Sequence, residues 1–383
     1  MEALPTPSPD AQTASRALCA HIAAAIEAAG GWLSFARYQE LALYAPGLGY
    51  YAGGSRKFGA EGDFVTAPEL TPLFGGALAR QVAQVMTAAG AAVVLEAGAG
   101  SGRLAADLLR ALDALGQAPE RYLILELSGE LRARQRDTLR REAPGLADRV
   151  EWLDAMPESI SGCIVANELL DAMPVQVLAW REAGLMERGV AVDAQGNFDW
   201  AERPADERLQ RLAAELPVVP PYVSEVAPIA RAWTAEWGRR LVKGGLILID
   251  YGLPRGEYYH PQRSGGTLRC HYRHRAHDNP FWWPGLSDIT THVDFTAIAE
   301  AAHASGLDVV GYTTQSTFLM NCGIGELLSE RQAEGRDAAK ALGAVQVLLS
   351  PAEMGELFKV LACGRGIDVP LLGFARGDRT HSL

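Results

Sequence analysis

Cysteine is scarce and scattered in this chain of 383 residues. The five, Cys19, Cys163, Cys270, Cys322 and Cys363, are odd in number and no two form a CxxC pair. That excludes a disulfide framework and fits reduced thiols in a cytosolic protein. No run approaches the roughly eighteen apolar residues of a membrane helix, so no membrane insertion is expected. Basic residues are the minority, 35 against 46 acidic ones, for a net charge of −11. This balance argues against nucleic acid as a partner and against anionic membrane surfaces. The start, Met1-Glu2-Ala3-Leu4-Pro5-Thr6-Pro7-Ser8-Pro9-Asp10, has neither the basic and apolar regions of a signal peptide nor the arginines of a transit sequence. A bacterial cytoplasmic location is therefore expected. The phosphate-cradling GxxxxGK[ST] is missing, which disfavours ATP. Glycine and proline, 40 and 21 residues, are too few for a low-complexity chain.

What is present is ordinary globular composition, 48% hydrophobic and 21% charged. At about 150 residues per domain, the length allows two or three domains or one large α/β domain with insertions. Residues 1–10 read as a flexible arm. Helical spacing runs from Ala11 to Ala29, and Ser34 looks like the cap of a short helix ending near Tyr44. These elements, with a Gly- and aromatic-rich loop at 46–54 and a helix at 72–89, make residues 1–90 an arm and helical cap.

From residue 91 short apolar runs alternate with helices. Val93–Glu96, Tyr122–Glu126, Val150–Asp154, Gly162–Asn167 and Leu246–Asp250 read as buried strands. That pattern predicts βαβ units and a mostly parallel, doubly wound sheet over 91–383. Two insertions interrupt it, at 175–245 and 253–292. The first opens with an antiparallel meander over 175–203. After them the pattern predicts a helix at 294–305, a strand at 308–314, helices to about 363 and a last strand near 371–375.

Glu96-Ala97-Gly98-Ala99-Gly100-Ser101-Gly102 falls between a strand and a helix. Glycines there permit a tight turn and a close ligand approach. The nicotinamide fingerprint GxGxxG would put Arg103 in the slot for close helix–strand packing, so an NAD-dependent oxidoreductase is the weaker reading. The spacing GxGxG behind an acid is that of class I methyltransferases using S-adenosylmethionine (SAM). A ligand-free Gly-rich turn is the bland alternative. Glu126 closes the next strand, 24 residues after Gly102. A carboxylate there can accept from both ribose hydroxyls. Asp154 closes the third strand, where it could meet the adenine amino group or cap a loop.

The fourth strand runs into Asn167-Glu168-Leu169-Leu170-Asp171-Ala172-Met173-Pro174. Ligands of this fold sit outside strand carboxyl ends, so these residues should face the transferred methyl group. Glu168 and Asp171 suit a cationic acceptor, because a guanidinium takes planar carboxylate partners. The alternative is an acidic helix start favoured by the helix dipole. Asp63 and Glu69, on the N-terminal loop, are further candidates for the substrate side.

Three more stretches, Gly62-Asp63-Phe64-Val65-Thr66-Ala67-Pro68-Glu69, Ala166–Val175 and Asp288-Ile289-Thr290-Thr291-His292-Val293-Asp294-Phe295, join Glu96–Gly102 in a resemblance to the MidA-like SAM-dependent methyltransferases. The resemblance covers about residue 20 to the C-terminus. It implies a class I SAM-methyltransferase Rossmann-like core with an N-terminal helical cap and inserted substrate elements. It implies S-adenosylmethionine as cofactor and S-adenosylhomocysteine (SAH) as product. The implied cofactor contacts are Glu96, Ala97, Gly98, Gly100, Gly102, Glu126, Leu127, Asp154, Asn167, Thr66 and Pro68. The implied catalytic residues are Glu168, Asp171 and Asn167, with Asp63, Glu69, His271 and His292 on the substrate side. Mitochondrial members assist assembly of respiratory complex I by dimethylating an arginine of one subunit, so the implied partner is a protein substrate. A SAM-binding assembly factor without turnover is the alternative.

The 253–292 insertion carries Arg269, His271, Arg273, His274, Arg275 and His277, then Phe281-Trp282-Trp283-Pro284. The histidines are three apart, yet no Cys or carboxylate completes a ligand set nearby, and transfer from a sulfonium needs no metal. The run reads as a positive patch in an acidic protein or a solvated loop.

Overall fold

A computed structural model describes residues 4–52, 66–333 and 338–383. Asp63 lies outside the described residues. The chain divides into two compact units, one of residues 65–169, 232–252 and 295–383, the other of residues 1–64, 170–231 and 253–294.

The first unit is built on a sheet of Val/Ile/Leu-rich strands. Its spatial order is Asp308–Thr314, Phe358–Arg365, Leu241–Leu253, Ile160–Asn167, Val93–Ala97, Arg121–Leu125, Val150–Leu153. The last five are parallel to one another, and Phe358–Arg365 is antiparallel to both its neighbours. This is the mostly parallel core expected of a class I methyltransferase. One face, with Val94, Ile124, Val165, Ile247 and Val360, packs in a core with Phe74, Leu78 and Val82 of helix Pro72–Ala89 and Leu108 of helix Arg103–Ala114. The intervening Leu95, Leu123, Ile164, Leu246 and Leu248 are buried too, and burial on both faces explains why the strands read as unbroken apolar runs. Strand order reverses between Val93–Ala97 and Ile160–Asn167, which are paired neighbours. That reversal opens a crevice at their carboxyl ends, where open α/β sheets bind ligands.

Local chemistry sets the helix ends. Thr71 accepts from Leu73 N–H at 3.3 Å, Pro72 takes the first turn, and Gly90 closes helix Pro72–Ala89 with φ +68°. Ser128 accepts from Leu131 N–H at 3.3 Å and starts helix Gly129–Glu142.

The C-terminal end differs from its pattern. Phe358–Arg365, inside the stretch read as helical, is a buried strand, and Leu372–Phe374, read as the last strand, is one 3-10 turn. A short apolar run such as Val360–Cys363 fits a buried helix or strand equally, and only its two hydrogen-bonded neighbours decide. Leu371 and Phe374, three apart, both enter the core, as one 3-10 turn allows.

In the second unit the expected arm is also corrected. Helix Pro9–Ala28 begins inside it, because Ser8 accepts from Ala11 N–H and Pro9 needs no partner at a helix start. The meander at 175–203 is present as Gln176–Arg181, Gly184–Val192 and Phe198–Pro204. Two further strands, Leu33–Ser34 and Tyr222–Val226, complete an antiparallel sheet of five. The first has only two residues and the second follows Pro220-Pro221, so neither stands out in the pattern. Residues 269–290 add a small sheet of Arg275–His277, Arg269–Tyr272 and Asp288–Thr290. Trp282 is a packing residue there, 4.8 Å from the Tyr272 ring and 5.4 Å from that of His277.

An aromatic cluster holds this unit together. Tyr38 is fully buried, with ring centroids 5.8 Å from Phe35, 5.9 Å from Phe198 and 5.3 Å from Phe281. Its hydroxyl donates to Pro280 O at 2.7 Å. Tyr38→Phe strands that carbonyl and should cost about 1–3 kcal/mol. Tyr38→Ala also empties the site and should cost about 3–5 kcal/mol. Urea unfolding of both variants checks the order, and equal midpoints with the wild type would remove the cluster from its structural role.

Candidate functional site

The loop after Val93–Ala97 crosses the switch point. Gly98, Gly100 and Gly102 have φ of +70°, +51° and +81°, a conformation that disfavours any side chain. Space is also refused: a Cβ on Gly98 would come 2.8 Å from Leu169 Cδ1, and one on Gly102 2.9 Å from Gln135 Cα. The loop is fixed by Gly98 N–H on Leu125 O at 3.1 Å and Gly102 N–H on Ala99 O at 2.7 Å. Such a backbone can meet a ligand closely, which is the fit a SAM loop requires.

Glu96 shares the core-facing side of its strand with Val94. It is buried and accepts from Tyr122 Oη at 2.5 Å. Burial pushes its carboxyl up to about 7, the Tyr122 bond opposes the rise, and the Glu126 charge adds to it. Ala97, also buried, ends the strand.

Glu126 is nearly buried at the end of Arg121–Leu125. Its Oε1 accepts from Ser128 N–H at 2.9 Å and its Oε2 from Gln135 Nε2 at 3.2 Å. Burial raises its pKa, and those donors oppose the rise. Leu127, next in the chain, is 80% exposed, an apolar side chain standing in the open beside the acid. Asp154 is also exposed and pairs with Arg132 at 2.8 Å. Arg132 further donates to Glu126 O at 2.6 Å and Leu153 O at 2.8 Å, tying two strand ends together.

At the end of Ile160–Asn167, Glu168 has φ +50°, rare for a residue with a side chain. Its N–H donates to Ile249 O at 2.8 Å, and Oε1 accepts from Asn167 Nδ2 at 3.0 Å and Ala67 N–H at 3.2 Å. Asn167 Oδ1 is buried with no hydrogen-bond partner among the described residues. An acceptor left open there fits a ligand bearing N–H groups.

Thr66 precedes and Pro68 lies within the short helix Ala67–Leu70, whose first N–H reaches Glu168. Glu69, on the same helix, accepts from Ser101 Oγ of the glycine loop. One unit thus gathers Thr66, Pro68, Glu69, the glycine loop, Glu126, Leu127, Asp154, Asn167 and Glu168. Asp171, His271 and His292 belong to the other unit. There Asp171 is buried and its carbonyl accepts from Thr291 N–H at 3.0 Å. His292 N–H donates to Thr267 Oγ1 at 3.1 Å. His271 pairs in register with Asp288, whose two carboxylate oxygens each lie 3.0 Å from Tyr51 Oη.

Two residues at the site are not among the candidates the sequence suggests. Asp250 is buried and accepts from Leu169 N–H at 3.2 Å and Tyr251 N–H at 2.9 Å, holding the turn that carries Glu168. Its signal was available, since it closes an apolar run as Glu96 and Glu126 do. Gln135 has none, because a lone glutamine in the charged helix Gly129–Glu142 reads as solvated.

A switch-point crevice with a left-handed glycine turn and flanking carboxylates defines a nucleoside-binding α/β enzyme. A family model described as "Putative S-adenosyl-L-methionine-dependent methyltransferase" matches residues 77–313, and the chain belongs to that family. It is a SAM-dependent methyltransferase, and its cofactor is S-adenosylmethionine. It is 30% identical to Protein arginine methyltransferase NDUFAF7, mitochondrial, of Mus musculus, across 87% of this chain and 81% of that protein. The Homo sapiens protein of that name is 27% identical over 87% of this chain and 80% of its own length. Among solved structures, a Burkholderia thailandensis protein bound to S-adenosyl-homocysteine superposes with a TM-score of 0.96, at 53% identity and complete coverage of both chains.

Glu96 yields a pH test. Its folded pKa, about 7, lies above the ordinary glutamate value of 4.5, so between these the folded state keeps a proton that the unfolded state releases. Stability from this group therefore falls as pH rises from about 4.5 to 7 and is flat beyond. Glu96→Gln keeps an acceptor for Tyr122 and removes the titration. Relative to wild type it should gain up to about 3 kcal/mol between pH 4.5 and 8. Paired denaturation curves at the two pH values check this, and a parallel pH response would mean that Glu96 is not the titrating group.

Proposed function

We propose that the protein methylates a guanidinium nitrogen of arginine in a protein substrate, with Glu168 holding the cation. The observation that carries the reading is Glu168 itself: a carboxylate beyond the switch-point strand, in a strained backbone conformation, with Oε1 held by Ala67 N–H and the Asn167 amide. The names of the relatives, protein arginine methyltransferases, point the same way. By the resemblance, the substrate is a subunit of respiratory complex I.

On this reading Glu126 accepts from the ribose hydroxyls, exposed Leu127 packs on the adenine, and Asp154 stands near its amino group. We assign Glu69 to the cofactor side because of its bond to Ser101. Asn167 Oδ1 takes an N–H of cofactor or acceptor. Asp171, Asp63, His271 and His292 keep the substrate-side roles that the resemblance implies.

Transfer needs little covalent help. The guanidinium nitrogen attacks the methyl carbon, the C–S bond breaks with its electron pair left on sulfur, and SAH leaves neutral. The nitrogen then loses one proton, to a carboxylate or to water. Orienting the nitrogen in line and excluding water are the enzyme's tasks. A carboxylate holds a guanidinium by charge as well as by hydrogen bonding, which a neutral amide cannot do.

Glu168→Gln preserves the oxygen that accepts from Ala67 and Asn167. It should leave SAH affinity within about threefold while slowing transfer roughly 10- to 150-fold, the equivalent of a lost charged hydrogen bond. The assay is labelled-methyl transfer from SAM into a lysate of a deletion strain, with mass spectrometry of the labelled residue. Methyl-lysine, or full activity in Glu168→Gln, would overturn the reading. Transfer undetectable even for the wild type, beside intact SAM binding, favours the alternative of a non-catalytic assembly factor.

A further inference from the structure

We propose that Gln135 is the positioning residue that aims Glu126 at the ribose diol and locks that aim to the glycine loop. The proposal rests on the reading of Glu126 as the ribose acceptor.

Gln135 has no exposed surface, although its helix, Gly129–Glu142, is densely charged. Its amide reaches three separate elements. Nε2 donates to Gly100 O at 3.1 Å and to Glu126 Oε2 at 3.2 Å, and Oε1 accepts from Trp152 Nε1 at 2.9 Å. The partners force the amide orientation. An indole N–H can only donate, whereas a carbonyl and an ionised carboxylate can only accept. A flipped amide would lose all three bonds, so Trp152 sets which way the amide points. At the same place Gln135 Cα leaves no room for a Cβ on Gly102, so helix backbone and loop are in direct contact.

The consequence lies in what Glu126 has left to offer. A carboxylate has about four lone-pair sites. Ser128 N–H takes one on Oε1 and Gln135 takes one on Oε2. Each oxygen keeps acceptor capacity, and the two oxygens are held in a fixed plane. Two adjacent acceptors in a plane match two vicinal hydroxyls. Because the other amide hydrogen of Gln135 binds Gly100 O, the carboxylate cannot turn without disturbing the loop. Asparagine at 135 would be one methylene short of these partners. Glutamate would set an acceptor against Glu126 and Gly100 O.

A purely structural glutamine would weaken every ligand alike when replaced. A positioning glutamine acts through the hydroxyls. The test measures Kd by calorimetry for SAH and for its 2′,3′-dideoxy analogue, with wild type, Gln135→Met, Glu126→Ala and the double variant. Gln135→Met should weaken SAH about tenfold or more and the dideoxy analogue by less than threefold, collapsing the preference for the diol. In the Glu126→Ala background it should add little, since the two act as one unit. Trp152→Phe, which keeps an aromatic side chain and removes the orienting N–H, should reduce the preference in the same direction, and stands in should Gln135→Met fail to fold. Equal weakening of both ligands by Gln135→Met, with Glu126→Ala still collapsing the preference, would overturn the positioning role alone. An unchanged preference in Glu126→Ala would instead overturn the ribose reading on which it rests.

Discussion

The parallel pairing of Val93–Ala97 with Ile160–Asn167 is the constraint on which the site depends. Covered strands leave no face for chemistry, so reactive groups must collect where the strands stop. At this pair the chain departs in opposite directions, and the crevice between the departures cannot be filled by either connection. The glycine loop lies on one side of it and Asn167-Glu168 on the other. Leu169 closes against Gly98 so tightly that a methyl group there would clash. The two halves of the crevice are therefore set against each other by van der Waals contact as well as by register.

Electrostatics follow from the same edge. Glu96, Glu126, Glu168 and Asp250 all lie towards the carboxyl ends of their strands, within the last residues or just beyond, and the partners described for them include a phenol, backbone N–H groups and side-chain amides. Neutral donors orient a carboxylate without cancelling its charge. The sulfonium of SAM is a cation, and so is a guanidinium. Carboxylates gathered at this edge lend it a negative potential that suits the cationic cofactor. Asp154, further along the edge, pairs with Arg132 and stands in solvent.

Much of this was legible from the residues. The five parallel strands announce themselves as apolar runs, and the loop by its GxGxG spacing. The place of Glu126 at a strand end follows from the apolar run it closes. The C-terminal strand Phe358–Arg365 was not legible, since burial on both faces erases the alternation that separates strand from helix. Tyr222–Val226 and Leu33–Ser34 acquire strand character only from partners far away in sequence. Gln135 escapes for a related reason: its meaning is the meeting of three elements, and one helix cannot carry that signal.

Glu168 shows how the fold sustains what propensity alone opposes. A left-handed conformation at a residue with a side chain costs of order 1–3 kcal/mol and persists only where its surroundings over-determine it. Here they do. Its N–H is fixed to Ile249 O, the next residue's N–H to Asp250, and its side chain to Ala67 N–H and Asn167. A glycine at this position would satisfy the backbone at no steric cost, and an asparagine would satisfy it with less strain than glutamate. Neither supplies a carboxylate on a reach of two methylenes. That the chain bears the strain with three separate anchors, one of them a buried acid on the adjoining strand, argues that the carboxylate, rather than the turn, is what this position is built to hold.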